Sequence, residues 1–274
     1  MAELDFHSAS IDQIGAAFRG EGCVLLRNCI DADNLARLKG TLDEILAGQD
    51  TIHFADWEMT ARGLPHFCEY LFGDKHYTLL DSVLGGRHRV SRNTSTRRIG
   101  NSPDSKGYQQ PLTPHLDAFF HRFEWTVNFW VPFQDCGRDA PSLAVVRAPV
   151  AEAQAFTGYD GRRRRSGPPP QWNFANFSNA SLAVDDLRRA FGERVWAPEY
   201  AFGDAMMLSN WTLHFTHSLP EMTERRSSVE LRFNARASLG EALSDVLGPS
   251  AAKMLTALRR MVPFGDAVHE PRSH

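Results

Sequence analysis

Two short motifs, far apart in the chain, constrain this sequence more than any other feature. The first is Thr113-Pro114-His115-Leu116-Asp117, in which a histidine and an aspartate flank one apolar residue at the end of an irregular loop. The second begins at Gly203-Asp204 and continues through His214, in an apolar strand-like run, to Arg226. Two imidazoles and one carboxylate on one face of a metal, with the other positions open, form the usual non-haem Fe(II) site. We therefore expect the fold to bring the two motifs together around such a metal.

Length and composition favour one globular domain over residues 1–274, because a chain of this size can bury a single large core. The formal net charge of −3 predicts neither nucleic acid nor an anionic membrane as a partner. No apolar run reaches the roughly 18 residues of a membrane span, and the first residues lack a signal-peptide pattern. The cysteines have no metal-ligand spacing, so we expect reduced thiols and a cytoplasmic location.

The apolar pattern predicts many short strands, with helices near the ends. Trp125 to Phe133 is the clearest strand, because it is rich in aromatic and β-branched residues, and Ser142 to Val146 is a second. Asp31 is a predicted N-cap, followed by leucines at helical spacing up to Gly48. The other predicted elements are a strand at 21–28, a helix and loop over 67–80, a short helix at 185–191, two strands within 200–233 around a polar turn at 220–224, and a helix at 239–261. Together they predict one mainly β sandwich or barrel with its core at about residues 85–235 and helices packed outside.

Two polar segments leave alternatives open. In residues 87–98, polar side chains recur at alternate positions. This pattern suits either a strand with one polar face toward a wet cavity or an exposed edge strand. Residues 162–170 are predicted to form a mobile surface loop. The four adjacent arginines Arg162 to Arg165 in that loop form either an ordinary solvated face or a positively charged lid over a substrate.

The order of the motifs resembles that of a known family. A strand and helix come first, followed by His115-x-Asp117, a strand around Trp130 that leads to Pro141-Ser142-Leu143, the pair Gly203-Asp204, a histidine, and Arg226 at the start of the last strand. In this order and spacing, roughly residues 20 to 235 are similar to the phytanoyl-CoA dioxygenase family of Fe(II)- and 2-oxoglutarate-dependent oxygenases. The resemblance implies a double-stranded β-helix, the jelly roll that cupins also have.

The resemblance also implies the metal ligands, which are the catalytic residues of the family. His115 and Asp117 match the proximal pair and His214 matches the distal histidine. His217 is the alternative distal ligand, but the spacing from Gly203 favours His214. Residues 214 and 217 would point to opposite faces of a regular strand, so only one of them can reach the metal.

Four further residues are matched to the cosubstrate 2-oxoglutarate. Arg226 corresponds to the arginine that pairs with its far carboxylate, and arginine offers the planar fork that binds a carboxylate through two hydrogen bonds. Thr216 matches a hydroxyl that contacts the same carboxylate. Asn128 and Trp130, on the predicted strand 125–133, complete the expected cofactor-binding set.

The activity implied is that of an Fe(II)/2-oxoglutarate-dependent dioxygenase. Such an enzyme consumes O2, releases succinate and CO2, and hydroxylates a small-molecule metabolite or oxidises it in another way by hydrogen abstraction. The alternative is a non-oxidative jelly-roll protein, an isomerase, a lyase or a binding protein, that uses the same triad to hold a metal. Arg226 favours the oxygenase, because a protein without the cosubstrate does not need that arginine.

The sequence leaves the substrate and the oligomeric state open. An anionic substrate would suit the basic residues Arg92, Arg97, Arg98 and Arg162 to Arg165. Five residues could also line the cavity around the metal: His121, Arg92, Arg97, Asn128 and Arg232. A solvated or packed role suits each of them equally well.

Overall fold

The computed structural model describes residues 3–45, 51–53, 71–86, 88–90, 95–99, 113–117, 126–157 and 184–235, all within one compact unit, Met1–Ala235. The helices are α1 (Ile11–Glu21), α2 (Ala32–Ile45), α3 (Asp74–Leu84), α4 (Val150–Thr157) and α5 (Val184–Phe191), and a 3-10 turn follows at Gly192–Arg194. The strands are β1 (Glu3–Asp5), β2 (Cys23–Arg27), β3 (Thr51–His53), β4 (His88–Val90), β5 (Ser95–Ile99), β6 (Thr126–Pro132), β7 (Ser142–Val146), β8 (Val195–Trp196), β9 (Ala205–Ser209), β10 (His214–His217) and β11 (Arg226–Ala235). Across these ranges, no helix has the length and apolar character of a membrane span.

The strands form a large and a small sheet. The large sheet has the order β1-β2-β9-β6-β11-β5-β3, with β4 also paired to β11. The small sheet has the order β10-β7-β8. The pairs are antiparallel apart from β1 with β2, which is parallel.

Strand alternation divides the core into layers. On β6, Val127, Phe129 and Val131 pack with the apolar faces of α1 and α3, whereas Trp130 faces the small sheet. The cluster between the sheets, called the inter-sheet cluster below, consists of Cys23, Leu25, Trp130, Cys136, Ala140, Leu143, Val145, Tyr200, Met206 and Leu208. A third cluster on the outer face of the small sheet includes Ala144, Phe215, Leu187 and Phe191, so α5 covers that side. Helices therefore flank two facing sheets, which confirms the predicted mainly β fold class.

Several predicted elements are found at or near their expected positions. The predicted strands at 21–28, 125–133 and 142–146 correspond to β2, β6 and β7, and the predicted helix at 185–191 corresponds to α5. Asp31 is the N-cap of α2, because its Oδ1 accepts a hydrogen bond of 2.9 Å from the N–H of Asn34. The helix sought within 67–80 lies at Asp74–Leu84. The predicted loop at 162–170 and helix at 239–261 fall outside the described residues.

Two segments differ from expectation. Residues 200–233 form three strands rather than two, because the chain leaves the large sheet after β9 and enters the small sheet at β10. At the crossing, the Thr212 hydroxyl donates to the carbonyl of Gly22 at 2.6 Å. Residues 87–98 contain two strands, β4 and β5, instead of one. Since β5 lies between β11 and β3, it is not the exposed edge strand that was one of the alternatives.

Candidate metal centre

The backbone joins the two motifs directly. The N–H of His115 donates to the carbonyl of His214 at 3.0 Å, and the N–H of His214 donates back to the carbonyl of His115 at 3.1 Å. On its other side, His214 is opposite Val145 of β7, a member of the inter-sheet cluster. The side chain of His214 therefore faces the space between the sheets, whereas His217, on the opposite face of β10, is half-buried away from it.

Three side chains meet at this bridge. The nearer carboxylate oxygen of Asp117, Oδ1, lies 3.8 Å from Nε2 of His115 and 3.7 Å from Nε2 of His214. The three ligand atoms all lie within 4.8 Å of one another. In the part of the chain that the structure describes, this is the group of histidine and acidic side chains arranged to hold a metal ion.

Both imidazoles are held in the tautomer that a metal requires. Nδ1 of His115 lies 2.7 Å from the carbonyl of Thr113, and Nδ1 of His214 lies 2.8 Å from the carbonyl of Thr212. A carbonyl only accepts hydrogen bonds, so each Nδ1 carries the hydrogen and each Nε2 presents its lone pair. Metal-binding histidines in proteins are commonly oriented in this way.

The carboxylate of Asp117 is fully buried and held through its second oxygen. Oδ2 accepts hydrogen bonds from Nδ2 of Asn128 at 2.6 Å and from Nη2 and Nε of Arg232 at 3.1 and 3.3 Å. The same Nη2 lies 2.6 Å from Oε2 of Glu230, and Nδ2 of Asn128 lies 3.3 Å from Oε1 of Glu230. These four side chains, Asp117, Asn128, Glu230 and Arg232, are called the carboxylate cluster below.

Arg232 stays charged in this buried position. Burial by itself lowers the pKa of the guanidinium, but the carboxylates of Asp117 and Glu230 raise it above its ordinary value. The carboxylate cluster therefore contains one positive and two negative side chains. A divalent cation between Oδ1 of Asp117 and the two Nε2 atoms would meet net negative charge.

The donor set fits a divalent transition metal of the Fe(II) type. Two neutral imidazoles and one carboxylate on one side leave the remaining positions for other ligands. Asp117 supports this fit, because Oδ1 is directed at the two imidazole nitrogens while Oδ2 takes the hydrogen bonds. An aspartate at the centre of an ordinary buried ion pair would not need two imidazole lone pairs beside it.

Arg226 lies in the same inter-sheet space. It is 3% exposed, and its guanidinium carbon lies 4.9 Å from the ring centroid of Trp130. It is on the same face of β11 as Arg232, because alternate residues share a face. Thr216 is buried two residues beyond His214 on β10 and shares the inward face with it. The structure thus provides a buried cation on an aromatic surface, with a hydroxyl on the facing sheet.

The sequence predicted the three candidate ligands, but not what surrounds Asp117. Glu230 was not predicted as part of the site. Asn128 was predicted to bind the cosubstrate, and in the structure it donates a hydrogen bond to the carboxylate of Asp117. The missed signal is the alternation along β11, where polar side chains at 226, 228, 230, 232 and 234 interleave with apolar ones at 229, 231 and 233. Arg92, His121 and Arg162 to Arg165 fall outside the described residues, and only the backbone register of Arg97, opposite Ser228, is described.

Comparison with known proteins supports the fold. No family model matches the chain, and no curated protein sequence matches it, so the resemblance to the phytanoyl-CoA dioxygenase family stays a prediction. Solved structures do match. The epimerase SnoN, in complex with Fe3+, alpha ketoglutarate and nogalamycin RO, is 15% identical over 82% of this chain and 83% of its own, with a TM-score of 0.54.

Two further structures match at similar levels. EctD from S. alaskensis, in its apoform, is 16% identical over 83% of this chain and 77% of its own, with a TM-score of 0.54. EvdO2 from Micromonospora carbonacea var. aurantiaca, complexed with 2-oxoglutarate, is 12% identical over 80% of this chain and 89% of its own, with a TM-score of 0.51. At these identities the likeness shows a shared fold, in agreement with the predicted jelly roll.

Proposed function

We propose that this chain is a non-haem Fe(II)- and 2-oxoglutarate-dependent oxygenase that oxidises a small molecule. The observation that carries the proposal is the triad of His115, Asp117 and His214, with both imidazoles held in the metal-binding tautomer. Two structures that share the fold add support, because SnoN is in complex with Fe3+ and alpha ketoglutarate and EvdO2 is complexed with 2-oxoglutarate.

Each residue has a defined task in this proposal. His115 and His214 would hold the iron through Nε2, and Asp117 would hold it through Oδ1. Arg226 receives the far carboxylate of 2-oxoglutarate in a buried place where an ion pair is poorly screened, and Thr216 donates a hydroxyl to the same carboxylate. Trp130 contacts the guanidinium of Arg226 and limits its orientation.

The cofactor supplies the oxidation, and the protein positions and shields it. Bound iron, with 2-oxoglutarate and O2, would supply an oxidative decarboxylation to succinate and CO2, and the oxidising power released would remove a hydrogen atom from a substrate. The inter-sheet cluster forms a buried apolar surface beside the triad, since residues such as Leu143, Met206 and Leu208 are almost fully buried. A site that excludes water limits side reactions of the oxidant.

Two outcomes follow from the same hydrogen abstraction. Hydroxylation is the leading one, as the sequence predicts for a small metabolite. Epimerisation is the second, because SnoN, which shares the fold, is named as an epimerase. A non-oxidative metal protein is the alternative of a different class. The buried Arg226 favours the oxygenase, because a protein without 2-oxoglutarate does not need a buried arginine there.

The proposal is tested by the fate of 2-oxoglutarate. Anaerobically purified protein is loaded with Fe(II), supplied with 2-oxoglutarate and ascorbate, and exposed to O2 while succinate is measured. We expect succinate to form in an iron-dependent manner, with His214→Ala inactive and His217→Ala active. Iron binding without succinate formation, in the presence of a panel of small anionic metabolites, would favour the non-oxidative alternative.

A further inference from the structure

We propose that Arg232 is a positioning residue that forces Asp117 to bind the metal through one oxygen, and that Glu230 is its charge balance. The inference rests on the metal centre of the proposed function and extends it to residues outside the triad. The carboxylate of Asp117 has two oxygens that could both reach a metal. The surroundings of the two oxygens differ sharply.

The hydrogen bonds from the carboxylate cluster all lie on one oxygen. Oδ2 of Asp117 accepts from Nη2 and Nε of Arg232 and from Nδ2 of Asn128, whereas Oδ1 is the oxygen that lies 3.7 and 3.8 Å from the imidazole nitrogens. Hydrogen bonds from a charged guanidinium are about twice as strong as neutral ones. If Asp117 turned so that both oxygens met the metal, it would weaken these bonds within a fully buried site.

One-oxygen binding has a consequence for the cofactor. In an octahedral site, a carboxylate that binds through one oxygen leaves one more position open than a carboxylate that binds through both. A 2-oxo acid that chelates through two atoms would take two of the open positions, so the extra position would stay available. Arg232 would thus keep one metal position available without itself contacting the metal.

Glu230 would offset the repulsion between the buried guanidinium of Arg232 and a metal held by Asp117. Arg232 donates to Glu230 at 2.6 Å through the same Nη2 that contacts Asp117 at 3.1 Å. With both carboxylates present, the carboxylate cluster keeps one net negative charge. Without Glu230, the guanidinium would cancel the charge of Asp117 and weaken its attraction for a divalent cation.

Arg27, at the end of β2 in the large sheet, offers a control. Its Nη1 pairs with Oδ2 of Asp204 at 2.5 Å, and Asp204 is also almost fully buried. This pair joins the end of β2 to the turn before β9 and involves none of the metal-centre residues. Loss of Arg27, which is more exposed than Arg232, therefore breaks another arginine–aspartate pair without touching the proposed site.

The experiment uses Mn(II) alone as the probe, with the full chain and no substrate. Affinity is measured by calorimetry, and the number of water molecules on the bound ion is measured by water-proton relaxation. We expect Arg232→Gln to retain Mn(II) binding, because loss of the guanidinium leaves two negative side chains in the carboxylate cluster. Its bound ion should also carry fewer exchangeable waters than in the parent, because Asp117 then binds through both oxygens.

Three variants complete the design. Arg232→Lys retains the charge but not the planar fork, so its bound ion should also carry fewer waters than in the parent. Glu230→Gln should weaken Mn(II) binding with an unchanged water count. Arg27→Gln should change neither quantity. If Arg232→Gln does not fold, as judged by circular dichroism, Arg232→Lys and Glu230→Gln carry the test.

The inference and the proposed function fail in different ways. If the parent chain binds no Mn(II), Co(II) or Fe(II), the metal centre itself is wrong. If the parent binds Mn(II), and folded Arg232 variants match its water count, only the role of Arg232 is overturned.

Discussion

His115 and His214 exchange both backbone hydrogen bonds across an antiparallel bridge, which places their ring centroids 4.3 Å apart. The bridge ties the loop that carries Asp117 to the small sheet. Because successive residues of a strand face opposite sides, a slip of one residue in β10 would turn His214 away from Asp117. The pairing of these two backbones therefore determines whether the candidate ligands converge.

The first prediction separates the two histidines of β10. His214→Ala should weaken Fe(II) or Co(II) binding by more than the roughly 10- to 100-fold that loss of an outer partner costs, because a ligand itself is removed. His217→Ala should bind the metal as the parent does, since its side chain lies on the other face of the strand. Equilibrium dialysis against the metal measures both. Loss of binding in His217→Ala alone would contradict the observed register.

The second prediction concerns Arg226. In the proposed function, Arg226→Ala would leave a buried carboxylate of 2-oxoglutarate without its partner, which costs about 2–5 kcal/mol. The apparent KM for 2-oxoglutarate should rise by about 30-fold to several thousand-fold, with metal affinity unchanged. The neighbouring Arg225 is exposed, so Arg225→Ala is the matched control and should leave this KM as it is. A normal KM in Arg226→Ala would place the cosubstrate elsewhere.

The parts of the fold that could be predicted are those with a local signal. β6 and β7 are continuous apolar runs, and α2 begins at an aspartate cap, so pattern alone indicates them. Helix α1 was not predicted, although it has its own signal: Ser10 and Gln13 form a capping box at its start. Gly15 and Gly20 lower its helix propensity, and packing of Ile14 and Phe18 against the large sheet compensates.

The parts that could not be predicted depend on contacts between distant residues. The run from Ala205 to His217 has the composition of one long strand, and only the pairing of β9 with β6 and of β10 with β7 reveals the change of sheet. Similarly, the sequence indicates Arg232 only as one of several polar residues that could line a cavity. Its partner Asp117 lies on a distant loop, so no local pattern connects the two.

The third prediction concerns the pH dependence of stability. The ring of His76 is stacked on Phe72 with centroids 4.6 Å apart and lies close to Phe6, and burial lowers its pKa to about 4. In the unfolded chain the pKa is about 6.5, so between these values the unfolded state binds a proton that the folded state does not. The contribution of His76 to the free energy of unfolding is therefore complete above about pH 6.5 and is lost as the pH falls toward 4.

The size of this effect is measurable by urea unfolding. The loss should approach about 1.4 kcal/mol per pH unit at its steepest. His76→Gln should unfold with a smaller pH dependence than the parent between pH 6.5 and 5, even though it is less stable at pH 7. Equal slopes for the two proteins would show that His76 is not the group responsible.

The fourth prediction concerns a polar contact within the inter-sheet cluster. The hydroxyl of Tyr200 donates to the carbonyl of Leu143 at 2.9 Å, and the ring packs edge-on against Trp130 at 4.8 Å. Tyr200→Phe keeps the ring but leaves a buried carbonyl without this donor. The free energy of unfolding should fall by about 1–3 kcal/mol, with the urea m-value unchanged. A variant as stable as the parent would mean that another donor replaces the hydroxyl.

The central claim is that the triad holds Fe(II) in a form that 2-oxoglutarate can chelate, with Arg226 on the far carboxylate. Its most direct test is an anaerobic titration of the Fe(II)-loaded protein with 2-oxoglutarate, followed by visible absorption. A 2-oxo acid chelated to Fe(II) produces a charge-transfer band, whereas a cosubstrate bound away from the metal does not. We predict a band that saturates at about one 2-oxoglutarate per iron, is absent in His214→Ala and requires far higher cosubstrate in Arg226→Ala. Iron-loaded protein that shows no band at saturating 2-oxoglutarate would contradict the account.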